Sequence, residues 1–196
     1  MIAADSIDSC ELQIREACTA ASWETAATIA VRGYGPELLG YLNALLRNAV
    51  EADDVFSIVC ERLWRGLPGF AWQSSFRTWA YTVTRNAHAS YRRSPHRKKV
   101  VPLESSVLEA IVAEVRTTAT FSRTAKEDKL ADLRGSLDPD DQTLLILRID
   151  RKLPWRDIAH VFEPEGATPA ALDRRAAALR KRLERLKTEL RERLGR

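Results

Sequence analysis

Phe70-Ala-Trp72-Gln-Ser-Ser-Phe76-Arg-Thr-Trp79-Ala-Tyr81 gathers five of the chain's fourteen aromatic residues into twelve positions. Ser75 stands where a helix cap is wanted, and the residues after it read as one helix to about Arg92. On that helix Phe76, Trp79, Ala80, Val83 and Ala87 share a face, which reads as core. Arg77, Tyr81, Arg85, His88 and Arg92 recur at i, i+4, i+8, i+11 and i+15, a basic stripe with an aromatic inside it. Guanidinium groups suit phosphates, while an unstacked base needs a π-face or a hydrogen-bonding amide such as Asn86. Trp72, in the loop before the helix, reads equally as packing and as base contact.

Outward from this stretch the pattern is helical. Residues 22–32 and 36–50 read as two helices, the second with Pro36 in its first turn and a stripe through Leu38, Leu39, Leu42, Leu45 and Leu46. A third is expected over 52–66, with Asp53 and Asp54 near its positive end, before Gly66-Leu-Pro68-Gly69 breaks it. Residues 94–128 read as a linker in which only Val107 to Val115 has a helical period. Beyond it, Asp138-Pro139 opens a helix through Leu144 and Leu147, another spans 154–162, and Thr168-Pro169 starts the last. With eight glycines, three cysteines and abundant Leu, Ala, Arg and Glu, the 196 residues read as all-α. They divide into domains at 1–93 and 129–196.

Composition excludes several classes. Cys10, Cys18 and Cys60 form no Cys-x-x-Cys pair, which argues against a disulfide framework and a zinc site. No apolar run approaches the ~18 residues of a membrane span, so no membrane insertion is expected. Met-Ile-Ala-Ala-Asp lacks the basic start of a signal peptide, and the expectation is a cytoplasmic protein. The net charge of +4 conceals an alternation: residues 1–60 carry −6, 61–100 carry +8, 101–150 carry −4 and 151–196 carry +6. Two separate basic blocks suit two contacts with a polyanion, although basic helices also occur as plain solvated faces.

The second basic block holds Leu153-Pro-Trp-Arg-Asp-Ile-Ala-His-Val-Phe162, a turn, and Thr168-Pro-Ala-Ala-Leu-Asp-Arg-Arg. Two helices around a Gly-containing turn, the second amphipathic and basic, read as a helix-turn-helix. Its first turns would offer Arg174 and Arg175 to guanine edges, with Arg180 and Arg182 nearer phosphates. The competing reading is an ordinary hairpin with a coiled-coil helix. Catalysis has little support: no phosphate loop or nucleophile elbow occurs, and His88, His96 and His160 have no metal-ligand spacing. No cofactor or metal is expected.

Ala52-Asp-Asp-Val55 with Arg62-Leu-Trp64, then Ser74-Ser-Phe-Arg-Thr-Trp79 and Arg85-Asn86, resemble region 2 of the bacterial sigma-70 factors of the extracytoplasmic-function group. Leu137-Asp-Pro139, Leu144 to Arg148, Ile158-Ala159 and Arg180-Lys-Arg-Leu183 resemble region 4 more loosely. The resemblance covers roughly residues 22–93 and 129–190. It implies a promoter-specificity subunit of core RNA polymerase, with promoter DNA as second partner and no catalysis of its own. Asp53, Asp54, Ile58, Arg62 and Trp64 would then meet the polymerase. Trp72, Ser74, Arg77, Tyr81, Arg85, Asn86, His88 and Arg92 would recognise and open the −10 element. Thr168, Arg174, Arg175, Arg180 and Arg182 would bind the −35 element. Ser57 and Ile58 depart from the family's usual Gln-Glu pair, and the 163–168 turn is about three residues longer than usual. Members of the group are commonly held by an anti-sigma factor, which no residue here identifies. The alternatives are a stand-alone dimeric helix-turn-helix regulator and a metal-dependent nucleic-acid enzyme using Asp53 and Asp54.

Overall fold

The computed structural model describes residues 4–93, 105–120, 135–163 and 165–194. They are helical with no strand among them, and divide into two compact units, Met1–Arg123 and Thr124–Arg196.

The first unit is built on α2, Trp23–Leu46, which packs against α1 (Ala4–Thr19), α3 (Ala49–Gly66), α4 (Phe76–Arg93) and α5 (Ser106–Thr120). Sequence reading expected two helices here, divided before Pro36. The structure has one, and Pro36 lies inside it. Proline removes one backbone donor and normally bends or breaks a helix. The helix instead runs on because its neighbours grip it on several sides. A Cβ at Gly33 would stand 2.4 Å from Cys10 Sγ of α1, and one at Gly35 only 3.1 Å from Val115 of α5 and 3.3 Å from Phe56 of α3. The glycines that resemble a turn signal are thus close-approach points. The break falls later, at Arg47, which adopts a left-handed φ of 54°. Asn48 then caps α3, its Oδ1 accepting from the N–H groups of Val50 and Glu51 at 3.0 and 3.2 Å.

Two elements were not expected. Helix α1 lies outside the helices expected from the sequence, yet Ile14 and Ala17 are buried on it. Helix α5 falls within the expected linker of residues 94–128, but it belongs to the first unit. Ser105 caps it, its Oγ accepting from the Leu108 N–H, and Leu108, Ile111, Val112 and Val115 are buried against the unit. The helical period noticed at Val107–Val115 is therefore the inner face of a packed helix, and the first unit runs past residue 93.

In the second unit, Asp138 caps α6 (Pro139–Leu145), accepting from the Asp140 N–H at 2.9 Å, and a wide π-type turn at Ile146–Asp150 follows. Then come α7 (Trp155–Phe162) and α8 (Pro169–Leu194). Leu144, Leu147, Ile158, Leu172, Leu179, Leu183 and Leu186 form its core. Gly166 closes the turn between α7 and α8 at φ 82°, a conformation that favours glycine. No described helix is long and apolar enough to cross a membrane.

Candidate nucleic-acid interface

Helix α4 and the loop before it are held by an aromatic cluster. Phe70 stacks on Trp79 at 4.7 Å between ring centroids, meets Trp72 at 4.7 Å, and lies edge-on to Phe76 at 6.0 Å. Ser75 caps α4 as expected, its Oγ accepting from the Thr78 N–H at 3.1 Å. Phe76, Trp79, Ala80 and Ala87 are core residues as expected, while Val83 is half-buried.

The basic stripe needs correcting. Tyr81 is fully buried and donates its hydroxyl proton to Glu37 Oε1 of α2 at 2.7 Å. Arg77 Nε lies 3.2 Å from both oxygens of the same carboxylate, and its Nη2 makes a further close contact there. His88 is buried as well, and its Nε2 has no hydrogen-bond partner among the described residues. Burial, with Arg92 and Arg85 nearby, pushes its imidazole down to about 4. Arg77, Tyr81 and His88 therefore face the interior. Glu37 explains the difference: one acid on a mostly apolar helix draws the arginine and the phenol inward, because a buried carboxylate must be paired. What remains accessible on α4 is Asn86, Arg92 and Arg93, with Arg85 half-exposed. Trp72 and Ser74 are half-exposed in the loop. Asn86 stands about 15 Å along the helix from Phe76, so it and the loop would serve different nucleotides.

On α3, Asp54, Ile58 and Arg62 follow at i, i+4 and i+8 on one accessible face; Ile58 is half-buried and Arg62 exposed. Asp53 and the half-buried Trp64 lie roughly a third of a turn away. Asp53 faces α5. There Arg116 Nη2 donates to the Asp53 carbonyl at 2.7 Å and to Ser57 Oγ at 2.6 Å, and its Nε lies 3.7 Å from Asp53 Oδ1. Ser57, where the resemblance expects a larger polar residue, is thus covered by an arginine.

In the second unit the arginines of α8 divide. Thr168 accepts from the Ala171 N–H at 3.3 Å and is a cap. Arg174 is exposed. Arg175 is tied down, with Nε 3.3 Å from Glu163 Oε1 and its guanidinium 5.5 Å from the Phe162 ring centroid. Arg180 lies exposed over the Trp155 ring at 5.5 Å, and Arg148 bears on the same ring at 4.9 Å. Arg182 is paired with Asp141 and lies 3.7 Å from Asp138, contacts that hold its guanidinium above its usual pKa. The outward face of α8 is Arg174, Ala177, Ala178, Lys181 and Arg185. Lys181 and Arg185 were not anticipated; they stand between the buried Leu179, Leu183 and Leu186, and that interval is the signal that finds them.

The two helical units present an aromatic loop beside a cationic helix end in one, and a basic helix after a turn in the other. Residues 30–98 match the Sigma-70 region 2 family model. Over 131 residues the chain is 25% identical to the RNA polymerase sigma factor YlaC of Bacillus subtilis (strain 168), covering 67% of this chain and 76% of that protein. The chain thus carries a sigma-70 region 2 match at residues 30–98 and is similar over two thirds of its length to a sigma factor.

Proposed function

We propose that this chain is a sigma factor of the extracytoplasmic-function group, which brings core RNA polymerase to promoters by two separate contacts with DNA and opens the strands at the first. The accessible face of α3, with Asp54, Ile58 and Arg62, docks on the polymerase. The 70–75 loop and the end of α4 take the −10 element: Trp72 stacks on an unpaired base, Asn86 hydrogen-bonds a second nucleotide, and Arg92 and Arg93 hold phosphates. The outward face of α8 enters the −35 major groove, with Arg174 toward base edges and Lys181 toward phosphate. Work with the polymerase places the protein in the cytoplasm. An anti-sigma partner is compatible with this arrangement and is not specified by it.

The carrying observation is Trp72. It is a large aromatic, half-exposed, at a left-handed φ of 54°, mounted on Phe70 inside the segment that matches region 2. Bulky residues avoid this backbone region and are retained there where the surroundings hold them. Capturing an extruded base offsets the few kcal/mol that unstacking costs. With reconstituted holoenzyme, Trp72→Ala should lower permanganate reactivity of the −10 thymines more than it lowers duplex binding. Unchanged reactivity would remove base capture from this loop. The dimeric-regulator reading loses its main support, because Leu172, Leu179, Leu183 and Leu186 are spent in the core of their own unit. The metal-enzyme reading loses Asp53 to Arg116.

A further inference from the structure

Helix α1 lies outside the region 2 match, yet it grips the loop and helix that the proposed function assigns to the opened strand. Glu11 reaches across to the start of α4. Its Oε2 accepts from the Phe76 N–H at 2.9 Å and its Oε1 from the Arg77 N–H at 2.8 Å. The buried Tyr34 of α2 donates its hydroxyl proton to Oε1 at 3.0 Å, which fixes the carboxylate. Helix caps are ordinarily local, supplied by the residue before the first turn. Ser75 already does that for Thr78, and a cap from sixty-five residues away ties the place where α4 begins to a different element.

Arg15 follows Glu11 by four residues and so shares its face of α1. Its guanidinium lies 5.1 Å from the Trp72 ring centroid. Trp72 thereby has Phe70 and Arg15 as ring neighbours while its backbone holds the unfavourable left-handed conformation. Such a conformation persists only when its surroundings over-determine it. Helix α1 also contains Asp5, Asp8, Glu11 and Glu16 against the single Arg15. That charge suits action through the loop and not direct binding of DNA.

We propose that α1 is a working part of the strand-capture apparatus: Glu11 is a positioning residue that sets the register of the 70–75 loop against α4, and Arg15 holds Trp72 in its capturing conformation. The proposal rests on the reading of that loop as a base-binding element. Its readout should therefore be a selectivity, which does not depend on how much protein is folded. Holoenzyme made with the full chain would select a preferred sequence from a short random single-stranded DNA pool. Binding would then be compared between that sequence and its single-base variants.

Glu11→Gln keeps one acceptor but turns an NH2 group toward a helix N–H, and Arg15→Met keeps the stem without the guanidinium. Each should lower the preference ratio about fivefold at one nucleotide position, with affinity for core polymerase within about twofold of the parent. Should Glu11→Gln fail to assemble with polymerase, Arg15→Met alone decides. If Trp72→Ala loses the preference while Glu11→Gln and Arg15→Met keep the parent ratio, α1 is structural and the proposal is overturned. If Trp72→Ala also keeps the ratio, the base-binding reading of the loop falls, and the proposal falls with it.

Discussion

Helices α4 and α8 both carry arginines at helical spacing, and they use them in opposite ways. On α4, of the spaced residues, Tyr81 and His88 are buried and Arg77 is half-buried, and two of the three meet one carboxylate of α2. On α8 the inward positions are leucines, and Arg174, Arg180, Lys181 and Arg185 remain outside. The cause is packing. Helix α4 meets α2 and α3 and is capped from α1, so most of its circumference is interior and polar residues must be paired there. Helix α8 meets α6 and α7 on one side only, and its leucine period describes it fully. A helical stripe identifies a solvent face only on a helix packed along one side.

The largest effect that tests this contrast is the loss of Glu37. Glu37→Ala would strand Arg77 and Tyr81, and breaking a buried pair by removing one partner costs about 3–5 kcal/mol. Tyr81→Phe, which removes one hydroxyl, should cost about 1 kcal/mol. Urea unfolding of the full chain measures both. A loss below about 1 kcal/mol for Glu37→Ala would return the stripe to the surface and erase the difference between the helices.

Acid should separate the two units next. His88 has a folded pKa near 4 against about 6.5 unfolded. Between those values the unfolded chain takes up a proton that the folded one refuses, so stability present above pH 6.5 drains away as the pH falls toward 4. The full shift corresponds to about 3 kcal/mol. His88→Gln should flatten this part of the first unit's urea midpoint against pH. A profile that stays the same in the variant would show that His88 is solvated.

These contrasts explain what was legible in advance. The all-helical class, the Ser75 cap, the Asp138-Pro139 start and the Leu172, Leu179 and Leu183 face depend on local pattern, and each is present. Failures occur where a distant residue decides. Gly33, Gly35 and Pro36 resemble a turn, but Cys10, Val115 and Phe56 close on that stretch from three other helices. Asp53, which the resemblance offers to the polymerase, instead meets Arg116 from 63 residues downstream. Glu11 is one acid on an unremarked helix, and no period reveals that its oxygens meet two amides beyond α2. Of the residues that the sequence offers to DNA, Asn86, Arg92, Arg174 and Arg180 are the ones left exposed.

On α8 the contrast can be sharpened by DNA binding. Arg174→Ala should cost about 1–3 kcal/mol on a matched −35 element and relax preference at one base pair. Arg175→Ala should leave that preference alone and destabilise the second unit, since its guanidinium is held by Glu163 and Phe162. Footprinting on matched and mismatched elements distinguishes the two. Equal losses on both DNAs for Arg174→Ala would move base reading off this helix.

The smallest expected effect compares neighbours. Arg182 is paired with Asp141 and Asp138, but about a third of its side chain is exposed. Solvent screening reduces what the pair contributes, so Arg182→Ala should cost no more than about 1 kcal/mol of stability. Its guanidinium is already matched to carboxylates and releases no counterion from DNA. The slope of log affinity against log salt should therefore stay as it is. Lys181, adjacent in sequence and exposed, is free to meet phosphate, and Lys181→Ala should lower that slope by about one unit. The pair of titrations isolates orientation, because the two residues carry the same charge on the same turn. If Arg182→Ala lowers the slope and Lys181→Ala does not, the ion pairs open on DNA and α8 presents a different face from the one its leucines assign.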